Sequence, residues 1–413
     1  RSWPITMVLL QDSSFVYLFL TLFSHSLALD FPFYLSLSSS PLLSLSISHF
    51  PSQCLCQFFL NALLQCVAIQ VTSATFRLVP SELVVLQNKS TMLETAVAVL
   101  SVYVSYRLVR TMLAILEAIF VYLIAPFFYT PPLHKYRARW TVVTGGTDGI
   151  GKAYAYELVR RGLRKFILIG RSAHKLADVQ AYLELQHGCD VKTVLFDFAT
   201  DEMARLRPTL DSHDVGLVVH SVGVGRENLE RFGDFPEADM QILRVNGMAS
   251  AEFLAAIIPT MEQHGGGQIV VLSSSQSFRP IPGIATYCAA KSVMSFLAEC
   301  IDRERATIRV QCLTPSLVAT NMTFYKTGSL FVVMPDVFAR AAVGTLGLVR
   351  VTSGCFNHEI QMLLRHLLPW SLLKYALMPI YAAHRRRLEK LHAAEERART
   401  DAEEVTVKKR ANA

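Results

Sequence analysis

Charged side chains make up only 18% of this 413-residue chain, against 52% hydrophobic ones, whereas an ordinary soluble domain carries about a quarter charged residues. With a mean hydropathy of +0.33, the chain is greasier than a soluble enzyme, and a membrane segment is expected. The depletion is sharpest at the start. Residues 1–91 hold six charges, Arg1, Asp12, Asp30, Arg77, Glu82 and Lys89, and runs such as Tyr34-Leu-Ser-Leu-Ser-Ser-Ser-Pro show neither helical nor strand period. Such a Leu/Ser/Phe-biased stretch does not read as a domain. Two readings stay open for it: a signal or membrane leader, or an over-extended gene prediction with the working protein starting at Met92. The second is favoured, because position 1 is Arg and the chain from Met92 onward looks complete.

Cysteine and clustered basic charge are also thin. The eight cysteines (Cys54, Cys56, Cys66, Cys189, Cys288, Cys300, Cys312 and Cys355) are scattered, and no Cys or His pair at zinc spacing matches Cys54-x-Cys56. Reduced thiols are expected, with no metal site. The net charge of +7 is spread out, with no basic block interleaved with aromatics, which argues against a nucleic-acid partner. An anionic membrane surface or an acidic substrate fits better.

From Leu93 to Tyr129 the chain is almost wholly apolar, interrupted by Glu94, Arg107, Arg110 and Glu117. As one straight helix these 37 residues would reach about 55 Å, nearly twice a bilayer core of roughly 30 Å. Two segments are therefore expected, with Met112–Phe128 the best single span, inside a membrane anchor covering residues 92–132. Arg107 and Arg110 flank one end, and Lys135, Arg137 and Arg139 the other, so the positive-inside rule gives a slight preference for a cytosolic catalytic domain. Asn88-Lys-Ser and Asn321-Met-Thr fit the glycosylation pattern, but the second falls inside the patterned region that begins at Trp140.

From Trp140 short β-branched runs alternate with helical stretches: Thr141-Val-Val-Thr, Phe166-Ile-Leu-Ile, Lys192-Thr-Val-Leu-Phe, Val215-Gly-Leu-Val-Val, Gln268 to Leu272 and Ile308-Arg-Val-Gln-Cys. That order argues βαβ units and an α/β fold built on a parallel sheet with helices on both faces.

The first strand runs into Thr144-Gly145-Gly146-Thr147-Asp148-Gly149-Ile150-Gly151. Gly145, Gly149 and Gly151 allow a tight turn, close approach of backbone to a pyrophosphate and close helix packing, with a helix amino terminus facing the phosphates. After the second strand, where an NAD-selective enzyme would carry an acidic residue, stand Arg171, Ser172 and Lys175. These suit a ribose 2′-phosphate, so NADPH is the expected cofactor. After the third strand, Asp197-Phe198 is placed to meet the adenine edge, with a helix-capping role as the alternative for Asp197.

Tyr287 and Lys291 stand four residues apart, and Ser274 lies thirteen before the tyrosine. On a helix, positions i and i+4 share a face, and a nearby ammonium stabilises an ionised phenol. Tyr287 is thus a candidate general acid. Ser274 stands just past the apolar run Gln268 to Leu272, at the strand end where open α/β sheets bind ligands.

The glycine turn together with Ser274, Tyr-x-x-x-Lys and Asn246 resembles the short-chain dehydrogenase/reductase family, over roughly residues 135–350. The runs Val142-Val-Thr-Gly-Gly-Thr-Asp-Gly-Ile-Gly-Lys-Ala-Tyr-Ala, Pro280-Ile-Pro-Gly and Leu313-Thr-Pro-Ser-Leu-Val-Ala-Thr320 resemble a narrower group within it, the membrane-bound very-long-chain 3-oxoacyl-CoA reductases and 17β-hydroxysteroid dehydrogenases. The apolar leader and the tail Leu367-Leu-Pro-Trp-Ser-Leu-Leu-Lys look like that group too. The resemblance implies a Rossmann-like doubly wound sheet and roles residue by residue. Tyr287 would donate a proton to the ketone oxygen, Ser274 would hydrogen-bond that oxygen, Lys291 would hold the nicotinamide ribose, and Asn246 would anchor a water in the proton relay or else tie strands together. Pro315, Val318 and Thr320 would seat the nicotinamide, and Val222 and Gly223 would line the cofactor path.

Two departures stand out. Where the family shows Asn-Asn-x-Gly, this chain has His220-Ser221-Val222-Gly223, and Ser316 replaces a glycine after Pro315. His220 reads as a buttress of the central strand. The stretch Asn321 to Val337 lies where the family places its substrate lid, and its Phe, Met and Val suit an acyl chain or a sterol. Residues 351–383 read as an apolar, membrane-associated segment, and 384–413 as a charged tail. The expected activity is NADPH-dependent reduction of a lipid ketone at the endoplasmic-reticulum membrane. A 3-oxoacyl-CoA in fatty-acid elongation comes first, a steroid 17-ketone second, and a catalytically silent assembly partner third. The likeness also implies a homodimer or an elongation-complex partner.

Overall fold

The computed structural model describes residues 93–225 and 230–363 in full. It also gives the helix backbone from Ser81, two short strands and scattered helical positions between 372 and 397. The proposed leader lies almost wholly outside the described residues. The chain divides into two units, Arg1–Tyr103 and Val104–Ala413. In the first, Ile5–Met7 pairs antiparallel with Leu43–Leu45.

Helix α1, Ser81–Ile119, is unbroken and runs on through a π turn at Phe120–Ile124 and a 3-10 turn at Ala125–Phe127. Two separate segments are therefore not seen. Arg107 and Arg110 leave the helix intact, because its backbone N–H and C=O groups pair with one another along the helix. Leu93–Phe127, 35 residues, is long and apolar enough to cross a membrane. Its side chains are largely exposed, including Phe127 at 89% and Phe128 just beyond at 67%. The stretch Pro236–Gln263 meets the same length test but carries Phe253, Ile257 and Met261 into the core, so it is a core helix.

The second unit is built on one parallel sheet. Its strands are β1 Trp140–Thr144, β2 Lys165–Gly170, β3 Asp190–Leu195, β4 Val215–His220, β5 Gly267–Leu272, β6 Ile308–Leu313 and β7 Val351–Thr352. They are ordered β3-β2-β1-β4-β5-β6-β7, all parallel. Successive strand residues point to opposite faces, and the two cores divide accordingly. Val143, Phe166, Leu168, Leu217, Val219 and Val270 pack on one side, while Val142, Ile167, Ile169, Val218, Ile269 and Val271 pack on the other. Strands buried on both faces must be apolar throughout, which is why these runs stood out in the sequence. The sheet is doubly wound, as expected.

The fold runs past residue 350. Strand β7 and the helix Phe356–Met362 complete the same sheet layer. Tyr122, at the end of the long helix, hydrogen-bonds Thr352, and Tyr129 donates to the Leu346 carbonyl at 2.8 Å.

Candidate active site

The carboxyl ends of β1, β2, β4 and β5 open onto a cleft of about 660 Å³. At its floor, β1 turns at Gly145 (φ +66°) and Gly149 (φ +51°) into helix Gly149–Arg160. Gly151 is packed so closely that a Cβ there would stand 2.2 Å from Ser221 Oγ and 2.4 Å from the Gly145 carbonyl. Asp148 caps this helix, its Oδ1 accepting from the Gly149 N–H at 2.7 Å.

The cations foreseen for a 2′-phosphate part company. Arg171, Ser172 and Lys175 all line the cleft, and Arg171 is exposed with no ion pair among the described residues. Lys175 instead donates to Asp148 Oδ2 at 2.7 Å, an oxygen that also accepts from Asn321 Nδ2 at 2.7 Å. Burial raises the Asp148 carboxyl, but the bonds from Lys175, Gly149 and Asn321 outweigh it and hold the group below the ordinary carboxylate range. Ser172 caps helix Ala173–His187. Asp197 and Phe198 both face the cleft, and Asp197 accepts from the Ala199 N–H at 2.9 Å within a local turn; it caps no helix, since the next helical turn, Met203–Arg205, has Glu202 at its N-cap.

On the facing wall, helix Ala285–Glu304 presents Tyr287 and Lys291 together to the cleft, beside Ser274 from the end of β5. Ser274 Oγ accepts from the Gln276 N–H at 3.2 Å. Lys291 is 4% exposed, its Nζ donating to the Leu272 carbonyl at 2.9 Å. Burial disfavours the ammonium and brings Lys291 down to about 8. Behind it, Ser273 Oγ bonds the Lys291 carbonyl and Ser295 Oγ, each at 2.7 Å. This locks the turn of helix that carries the lysine.

Asn246 stands just behind the cleft wall. It sits in a π turn, Arg244–Met248, and does not line the cleft. Its side chain closes a two-bond clamp on Val224, accepting from the N–H and donating to the carbonyl, both at 2.7 Å. The side chain thus holds the loop after β4, where Val222 and Gly223 line the cavity. Thr144 also lies behind the wall: its Oγ1 meets His220 Nδ1 at 2.9 Å, while Ser221 Oγ donates to its carbonyl at 2.7 Å. The His220-Ser221 pair buttresses the two central strands, as expected. Burial, aided by the Lys291 charge, pushes His220 down to about 3. Its neutral ring stacks on Phe253, 5.0 Å between centroids.

Pro315, Val318 and Thr320 line the cleft as foreseen, and so do Thr147, Ile150, Ser316, Met322 and Phe324. Met322 and Phe324 belong to the anticipated lid stretch, but their entry into the cleft had no signature of its own in the sequence. The stretch carries exposed Leu330, Phe331, Met334 and Val337, then becomes a core helix from Pro335. No cluster of metal-ligating side chains occurs among the described residues.

The sequence model of the short chain dehydrogenase family matches residues 139–328. A very-long-chain 3-oxoacyl-CoA reductase of Anas platyrhynchos is 35% identical over 58% of this chain and 78% of its own length. A human protein named inactive hydroxysteroid dehydrogenase-like protein 1 is 36% identical over 57% of this chain and 74% of its own length. Among solved structures, a short-chain dehydrogenase from Sphingobium yanoikuyae in complex with NADPH is 25% identical over 50% of this chain and 84% of its own, with a TM-score of 0.47. The chain belongs to the short-chain dehydrogenase family, oxidoreductases acting on CH–OH and ketone groups.

Proposed function

We propose that this protein is a membrane-anchored, NADPH-dependent reductase of a lipid ketone, and that its substrate is a very-long-chain 3-oxoacyl-CoA. The observation that carries the reaction class is the convergence of Ser274, Tyr287 and Lys291 in one cleft with the glycine turn.

The cleft fits a dinucleotide. Gly151 leaves no room for a side chain where the turn meets the helix amino terminus, and exposed N–H groups at such a terminus attract phosphate. Arg171 at the rim favours the 2′-phosphorylated form. When bound, the cofactor would supply hydride. Tyr287 would protonate the carbonyl oxygen, Ser274 would orient it by a hydrogen bond, and Lys291 would hold the ribose side of the cleft. Asn246 holds the wall they share by its clamp on Val224.

The lipid part rests on the exposed apolar residues of the lid and on the apolar helix Leu93–Phe127. In this reading the catalytic domain stands on the cytosolic side of the endoplasmic-reticulum membrane, and a relative is named very-long-chain 3-oxoacyl-CoA reductase. The Ser274, Tyr287 and Lys291 set speaks for activity, despite the relative named inactive.

The test is NADPH oxidation by membranes carrying the full chain, with a long-chain 3-oxoacyl-CoA or with estrone, beside Tyr287→Phe. Tyrosine-dependent turnover of the acyl-CoA alone supports the proposal. Turnover of estrone alone replaces it with the steroid reading, and NADPH binding without turnover of either ketone leaves a silent assembly partner.

A further inference from the structure

Pro315, Ser316 and Val318, from the loop after β6, line the cleft, and a side chain from outside the matched family segment holds that loop. His358, on the helix Phe356–Met362, is fully buried. Its Nδ1 accepts from the Ser316 N–H at 3.3 Å and its Nε2 lies 3.1 Å from the Leu317 carbonyl. An amide can only donate and a carbonyl can only accept, so this pair of contacts puts a proton on Nε2; burial lowers the proton affinity of the ring, against the Leu317 and Ser353 backbone groups that raise it. One imidazole therefore clamps two successive peptide groups of the loop. Leu317 also receives the Val333 N–H at 3.0 Å, which joins the lid to the same point, and the Pro315 carbonyl receives the Ser275 N–H at 2.9 Å.

The helix that carries His358 is itself pinned. Glu359 Oε1 accepts from Thr352 Oγ1 and from the Ser353 N–H, both at 2.6 Å. Because Thr352 donates its proton to the carboxylate, the hydroxyl of Tyr122 must be the donor in the Tyr122–Thr352 bond. A continuous chain of bonds thus leads from the end of the apolar helix through Thr352 and Glu359 to the element bearing His358.

We propose that His358 is a positioning residue that sets the Pro315–Val318 loop against the nicotinamide end of the dinucleotide, without contributing to the adenosine end. The inference rests on the NADPH reading above.

The experiment compares two ligands on the full-length protein in detergent. On that reading NADP+ would reach the Pro315–Val318 loop, whereas 2′-phospho-ADP-ribose, lacking nicotinamide, would occupy only the Arg171 side. For His358→Ala the NADP+ dissociation constant should rise about tenfold, the scale of one buried hydrogen bond, while that of the fragment changes less than twofold. His358→Asn keeps an acceptor for the Ser316 N–H, so it should recover part of the loss, and it carries the test if the alanine variant fails to fold. Equal loss of both ligands in the asparagine variant would overturn the inference in favour of a general structural role, and unchanged NADP+ affinity would overturn it outright. If the wild-type chain binds the fragment and NADP+ no better than ADP-ribose and NAD+, the cofactor reading itself falls, and this inference with it.

Discussion

Lys291 Nζ lies 5.8 Å from the centroid of the Tyr287 ring while its proton is held by the Leu272 carbonyl at 2.9 Å. The lysine is thus fastened to the end of β5 and faces the tyrosine from a fixed position. The pair is a helix face in sequence but a joint between helix and sheet in the fold. Its two halves should respond differently to substitution.

Tyr287→Phe removes the proton donor and keeps the ring. Loss of a general acid slows a reaction by about 10²–10⁴, so ketone reduction should fall by that order while NADP+ binding changes little. Stopped-flow NADPH oxidation beside equilibrium binding checks this. Parallel loss of both would mean that the phenol is needed to build the site.

Lys291 carries a stability signature. Its folded value of about 8 lies below the ordinary lysine value. Between about pH 8 and the unfolded value near 10.4, the unfolded chain binds more protons, and stability should rise with pH. Below that window the cost of a buried ammonium is fully present. Buried Cys312 and Cys355, raised to about 11 by burial, contribute a slope of opposite sign in both proteins, so chemical unfolding from pH 7.5 to 10.5 should show the stability of wild type gaining on that of Lys291→Met as pH rises.

His220 predicts the acid side. Its folded value is about 3, and the unfolded value is near 6.5. The unfolded state takes up the proton first, so stability should be lost as pH falls from about 6.5 toward 3. His220→Asn removes the titrating imidazole and should flatten part of that slope. An identical acid profile in both proteins would show that the buried imidazole does not drive it.

Glycine substitutions should separate by position. Gly151→Ala places a methyl 2.2 Å from Ser221 Oγ and 2.4 Å from the Gly145 carbonyl, whereas in Gly223→Ala the nearest atom is Lys291 Nζ at 3.4 Å. The first should abolish dinucleotide binding, because backbone cannot yield as a side-chain tip can. The second should fold and bind with a modest loss. Thermal melts with and without NADP+ distinguish them.

Arg171→Asp should reverse the dinucleotide preference toward NADH, since Arg171 is the exposed cation at the rim while Lys175 is engaged by Asp148. The ratio of kcat/KM for the two cofactors is the readout. An unchanged ratio would move the selectivity elsewhere.

Much of the fold was legible in the sequence, for identifiable reasons. A strand buried on both faces announces itself as an apolar run, and β1, β2, β4 and β5 did so. The two residues of β7 are too few to show any period, so the fold looked as though it ended near residue 350. Ser274, Tyr287 and Lys291 were readable because helix pitch and strand ends convert spacing into direction. The apolar helix was readable by composition, but its continuity was not, since length arguments assume a bilayer and the helix needs none to hold its own hydrogen bonds.

The strand runs along the chain, the glycine turn and the catalytic spacing are local properties, and the sequence by itself determined them. Which polar groups would meet was decided only by the tertiary structure. Asp148 drawing Lys175, Asn246 closing on Val224, His220 meeting Thr144 and His358 clamping Ser316 all join residues at least 22 positions apart. A buried polar group must find a partner or forfeit its hydration, yet the requirement does not say which partner. Packing the two faces of the sheet made that choice.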